Sequence, residues 1–112
     1  MKCNLREWIE ETANGEPVEA VVIGDMGWKR YRLEDIPEAA RDESKWNRCL
    51  TWEEAAPLLS YDFSCGYGAP GCQAVVAWTK SRVIFISQYD GSTSPEWVPR
   101  NPTDHEPQMP GG

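Results

Sequence analysis

The chain reads in two periods. At its start the spacing is helical: Leu5, Trp8, Ile9 and Thr12 fall at i, i+3, i+4 and i+7 on one face, and Glu7, Glu10 and Glu11 take the others. Asn4 followed three residues later by Glu7 is a capping-box-like start, and Asn14-Gly15 supplies the stop. Pro17 then opens a β-branched run, Val18 to Ile23, that ends in the turn Gly24-Asp25-Met26-Gly27. Trp28 follows, with a short strand expected through Tyr31 to Leu33. Residues 34–48 are polar and irregular and read as the least ordered part of the chain, or as an insertion. Within them Ile36 to Ala40 makes one helical turn. Thr51 and Glu54 form a second capping box, and Ala55, Leu58 and Leu59 give that helix its apolar side. Pro57 should shorten or kink it.

After Ser60 the period becomes two. Tyr61, Phe63 and Cys65 alternate with Asp62 and Ser64, which predicts a strand. Cys72 to Thr79 and Arg82 to Tyr89, separated by Lys80-Ser81, predict a hairpin. Asp90 to Pro95 forms a second turn, and Glu96-Trp97-Val98 a short third strand. From Pro99 onward there are four prolines, few apolar residues and a closing Gly111-Gly112, a composition that forms no regular element.

The pattern predicts an α+β fold: two helices packed on one face of a mainly antiparallel sheet of four or five strands, ending in a β-meander. The hairpin from Cys72 to Tyr89 should be the sheet's centre. Residues 1–98 read as one domain, with 29–48 a variable or irregular insertion and 99–112 a tail. Solvent exposure of Val76, Ile84 and Phe85 in the monomer would point either to a wrong sheet assignment or to an oligomer, a homodimer being the simplest.

At 112 residues, 40% of them hydrophobic and 26% charged, the chain has the size and composition of one packed domain. The longest apolar runs, Ala74–Trp78 and Val83–Ile86, are far short of a membrane span. The N-terminus runs directly into an amphipathic pattern without an apolar signal core, which predicts a soluble cytoplasmic protein. Eleven Lys and Arg against 18 Asp and Glu leave a net charge of −7. Direct nucleic-acid binding requires a basic excess that this chain lacks. Its one basic cluster, Lys29 to Arg32, is followed at once by Glu34-Asp35. An anionic surface instead steers a protein toward a basic partner.

The four cysteines, Cys3, Cys49, Cys65 and Cys72, contain no C-x-x-C pair. Cys65 and Cys72 bracket a glycine-rich loop where they could meet, with His105 joining them. The favoured expectation is four separate reduced thiols and no metal. Catalytic candidates are few. His105 is the only histidine and sits in the tail between Asp104 and Glu106. Gly66-Tyr67-Gly68 leads into a strand, so it lacks the helix N-terminus that would hold a phosphate. Asp25, Asp62 and Asp90 offer carboxylates with no fixed separation. The chain therefore reads as a protein without catalysis or cofactor; a carboxylate hydrolase is the minor enzymatic alternative.

Twelve aromatic residues, six of them tryptophan, are the compositional anomaly. Trp8 and Trp78 fit core faces, and Trp52 starts a helix as a lid. Trp28, Trp46 and Trp97 stand beside turns or in polar stretches, where tryptophan serves as a binding anchor. With the turn-borne charges they make Asp25, Trp28, Trp46, Asp90 and Trp97 the candidate partner-binding residues.

Three segments carry a resemblance: Trp8-Ile9-Glu10-Glu11 through Glu19, Gly68-Ala69-Pro70-Gly71-Cys72 through Thr79, and Val83 through Gln88-Tyr89-Asp90-Gly91-Ser92 to Pro102. With the closing Met109-Pro110-Gly111-Gly112 they resemble a group of short proteins of tailed phages and prophages; residues 29–48 lie outside the likeness. The resemblance implies a protein that binds and inhibits a host or bacterial-defence protein in the host cytoplasm, as anti-CRISPR proteins do, or a structural phage component. The helix, glycine, strand and Trp28 order is also similar to the opening of small phage proteins that sequester signalling nucleotides. On that alternative Trp28 would stack on a base and glycine-loop amides would meet phosphate, the net charge of −7 requiring Lys29, Arg30, Arg32 and Arg82 to converge there.

Overall fold

The computed structural model describes residues 2–25, 36–66, 71–89, 92–107 and 109. Trp28, the expected strand from Tyr31 to Leu33, and Asp90 lie outside the described residues.

The chain begins with β1 (Lys2–Asn4) and passes directly into α1 (Leu5–Thr12). The Asn4 side chain accepts from the Glu7 backbone N–H at 3.2 Å, as a cap should. The helix ends where Asn14 and Gly15 take left-handed backbone (φ 54° and 86°), which Gly and Asn adopt most readily. After β2 (Ala20–Ile23) come two 3₁₀ turns, Glu38–Arg41 and Glu43–Lys45, and the two-residue β3 (Cys49–Leu50). The second helix, α2 (Trp52–Leu59), starts on a complete capping box. The Glu54 N–H donates to the Thr51 hydroxyl at 3.2 Å, and the Thr51 N–H donates back to the Glu54 carboxylate at 3.0 Å. Pro57 lies in its last turn, and the helix stops at Leu59. Strands β4 (Asp62–Ser64), β5 (Val75–Trp78), β6 (Arg82–Tyr89) and β7 (Ser92–Pro99) complete the order.

The fold is α+β with a C-terminal meander. A five-stranded antiparallel sheet has the order β3-β2-β5-β6-β7, and a separate two-stranded sheet joins β1 to β4. The expected hairpin does supply the central strand, β5. The strand at Asp62–Ser64 belongs to the small sheet instead of the main one. Strand β7 is eight residues long, where the sequence suggested three, because Ser92 to Pro95 pair with Tyr89 to Ile86 across the turn.

Alternation along the strands sorts the side chains between two faces. Val21, Ile23, Val75, Ala77 and Ile84 point toward the helices and are buried. They share one core with Leu5, Ile9 and Ala13 of α1 and Ala55 and Leu59 of α2. Each valine, leucine and isoleucine among them contributes about 1.5–3 kcal/mol by leaving water. Trp8 closes the core's flank, its ring edge-on to Phe63 at 5.3 Å.

Two expectations are corrected here. The polar stretch before β3 is not a loose insertion where it is described: Ile36, Ala40 and Trp46 are core residues. Trp46 is only 6% exposed, and its indole N–H donates to the Ala40 carbonyl at 3.1 Å. It is thus a structural residue and not an exposed partner anchor. The four thiols are not all separate either. Cys3 and Cys65 form a disulfide with Cα atoms 5.9 Å apart, leaving Cys49 exposed and Cys72 buried. The pairing of Cys3 with Phe63 across β1 and β4 brings Cys65, two residues on, into reach.

Candidate functional site

Among the described residues, the exposed part of the aromatic anomaly lies on the last strand. Trp97 is 42% exposed and Val98 40% exposed, on opposite sides of the same edge strand. Register explains the position of Trp97. It pairs with Ile84, so its ring lies on the helix-bearing side, but at the sheet margin where the helices no longer cover it.

Beneath the ring, the Arg82 guanidinium sits 3.8 Å from the ring centroid. The same guanidinium donates to the Thr12 carbonyl at 2.8 Å, at the C-terminus of α1, where the helix dipole favours a cation. Arg82 thereby joins α1 to β7 and fixes the indole. It is also the only one of the four basic residues proposed to converge on phosphates that lies among the described residues, and its head is already engaged.

The backbone of β7 is an edge whose polar groups can be followed one by one. The Arg82 carbonyl accepts from Thr79 N–H on the β5 side at 2.9 Å, so its pair Pro99 turns its backbone away from β6. By alternation the outward positions are 93, 95, 97 and 99. Thr93 N–H donates to the Cys65 carbonyl at 3.1 Å, and Pro95 and Pro99 have no N–H. Trp97 alone presents both an N–H and a carbonyl outward. Prolines on an edge strand blunt indiscriminate strand pairing, and this edge is reduced to one donor between two of them.

The end of β7 is firmly held. Arg100 N–H donates to the Ser81 carbonyl at 2.9 Å, and its guanidinium bonds the Thr79 carbonyl at 2.9 Å and the Glu19 carboxylate. The β5–β6 turn it grips is itself tied down by Glu16. That carboxylate accepts from the Thr79 hydroxyl at 2.6 Å and the Ser81 hydroxyl at 2.8 Å. These hydroxyls, Thr79 foremost, hold the Glu16 carboxyl below its ordinary value of 4.5. Protonation must give up those bonds. The stabilisation is therefore complete above pH about 4.5 and drains as pH falls through the lowered value. In Glu16→Gln protein the melting temperature should fall less between pH 5 and pH 3 than in wild type; parallel curves would contradict this role.

From Arg100 the tail leaves the sheet and comes back. Glu96, Trp97, Val98 and Pro99 line one side of a cleft of about 410 Å³, and His105 and Glu106 line the other. Sequence reasoning placed Trp97 correctly at the surface, but it did not place His105 and Glu106 beside it. A tail without periodicity gives no signal of where it returns.

The opposite face of the sheet adds an apolar surface. Val22, Val76, Trp78, Val83 and Phe85 alternate out of the core, and each is half-buried. None belongs to the core cluster or packs against it. Val98 pairs with Val83 and extends this stripe to the β7 edge. The exposure test thus splits: Ile84 is buried, whereas Val76 and Phe85 are partly open, because neighbours in a strand face opposite ways.

Of the predicted binding residues, the three that are described, Asp25, Trp46 and Trp97, do not gather at one place. Asp25 is half-buried just past β2, next to Gly24, which Gln73 holds. The Gln73 side-chain amide donates to the Gly24 carbonyl at 3.2 Å and accepts from the Tyr61 hydroxyl at 3.1 Å. Burial pushes that hydroxyl's pKa well above its ordinary value. Asp25 follows β2, and Trp97 lies three strands away on β7, about 14 Å across the sheet before any offset along it. Among the described residues, no group of three or more His, Cys, Asp or Glu could hold a metal ion. Among them, too, no helix is long and apolar enough to cross a membrane.

Neither a protein family, nor a curated protein, nor a solved structure matches the chain.

Proposed function

We propose that the chain is a non-catalytic protein-binding module that seats a basic partner surface on the outer sheet face and the β7 margin. In its biological setting this is the role of a small acidic inhibitor of a host or bacterial-defence protein. The observation that carries the reading is the stripe Val22, Val76, Trp78, Val83, Phe85 and Val98, apolar but outside the core, which ends at the β7 edge whose other side carries exposed Trp97. A continuous apolar patch on a small soluble domain marks an interaction surface. Tryptophan at its margin is the side chain most often found to dominate binding energy. The net charge of −7 gives the partner its sign.

The test is capture of partners by tagged protein from bacterial lysates carrying diverse defence systems, in a rising salt series. Wild type should retain a stoichiometric partner that elutes as salt increases. Phe85→Ser with Val98→Asp should lose that partner while keeping the wild-type circular dichroism spectrum. Retention of the same partner by the double variant, or no retained partner at all, contradicts the reading.

A further inference from the structure

We propose that the partner contributes an extended, lysine- or arginine-bearing segment that adds as an outer strand to β7 at Trp97. This rests on the protein-binding reading above and specifies its mode.

Over residues 95–99 the outward edge of β7 offers three carbonyls, from Pro95, Trp97 and Pro99, and one N–H, from Trp97. An incoming antiparallel strand centred on Trp97 would exchange both bonds there and donate its own N–H groups to the two proline carbonyls. Main-chain bonds of this kind supply affinity in strand addition, and alternate side chains supply specificity. A second copy of this chain is a poor occupant. Two β7 edges paired antiparallel about Trp97 would set Pro95 against Pro99, leaving carbonyls at both positions and a donor at neither. The edge therefore selects a strand with free N–H groups on both sides of its centre.

The charge argument points the same way. The cleft beside this edge is lined by Glu96 of the strand and Glu106 of the tail, Glu96 lying on the outer face and the Trp97 ring on the other. The cation nearest the ring, Arg82, lies against it and is bonded to Thr12 at the end of α1. A lysine or arginine side chain entering the cleft would meet two carboxylates, the setting that favours a cation over a neutral or acidic group. Glu96 shares the outer face with Val98, so the basic side chains of the segment would take that face and the apolar ones alternating with them would lie on the Trp97 side.

The experiment titrates ¹⁵N-labelled full-length protein with three synthetic six-residue peptides. One alternates lysine with valine. One replaces each lysine with glutamate. One keeps the lysine–valine sequence but carries N-methyl groups on alternate residues, which removes strand pairing and leaves the charge. The expected result is a shift of the Trp97 backbone amide with the first peptide and at least tenfold weaker binding of the other two. Glu96→Lys with Glu106→Lys should weaken the first peptide at least tenfold. Equal binding of the N-methylated peptide, an unmoved Trp97 amide, or no binding by any peptide overturns the proposal.

The broader reading fails differently. If the captured partner is lost by the Phe85→Ser, Val98→Asp protein but kept by the Glu96→Lys, Glu106→Lys protein, strand addition is wrong and protein binding stands. If the Phe85→Ser, Val98→Asp protein keeps the partner, the reading beneath it is wrong as well.

Discussion

Trp46→Ala is expected to remove about 3–5 kcal/mol of folding stability, the range for truncating a buried tryptophan. The indole is nearly inaccessible and packs with Ile36 and Ala40 in the core. Its N–H bond to Ala40 closes the two 3₁₀ turns onto one another, so truncation opens a cavity and leaves a buried carbonyl without its donor. Trp97→Ala provides the contrast. That residue is 42% exposed, and its ring lies on Arg82, an interaction of about 0.5–1 kcal/mol at an open site. Urea unfolding of both variants measures the difference. A Trp46→Ala midpoint close to wild type would mean that residues 36–48 do not close the core as described.

Cleaving the Cys3–Cys65 disulfide should have an effect of similar size. The bond joins residues 62 apart in sequence, and loop-closure entropy for a loop of that length gives about 4 kcal/mol. It also anchors β1 to the end of β4, and the Cys65 carbonyl receives Thr93 of β7, so its loss loosens the base of the meander as well. Thiol titration distinguishes the states. In oxidised native protein Cys49 should react quickly. Cys72, buried and with its pKa pushed up to about 12, should react only on unfolding. Cys3 and Cys65 should appear only after reduction, together with a fall in thermal stability. Four thiols without reductant in unfolded protein, or unchanged stability after reduction, would contradict the pairing.

Much of the fold was legible because local chemistry and tertiary structure agree. Asn4 and Thr51 cap the two helices as their spacing to Glu7 and Glu54 implies, and the alternation in Val75–Trp78 and Arg82–Ile86 gives the meander its two faces. What was not legible depends on contacts distant in sequence. Nothing near Trp46 marks it as buried; its partners are a turn built on Ile36 and the core beneath it. Nothing near Cys3 announces Cys65. The surface position of Trp97 was legible because a tryptophan in a polar edge strand has little core to enter. The acidic and histidine side chains opposite it were missed because the tail's return is set by Arg100 gripping Ser81, Thr79 and Glu19.

The most direct measurement is amide hydrogen exchange of the wild-type chain, alone and bound to the partner it retains in capture. The account predicts slower exchange in β7 around Trp97 and in the outer-face positions of β5 and β6, with α1 and α2 unchanged. Protection confined to the helices, with β5 to β7 exchanging as in the free protein, would contradict it.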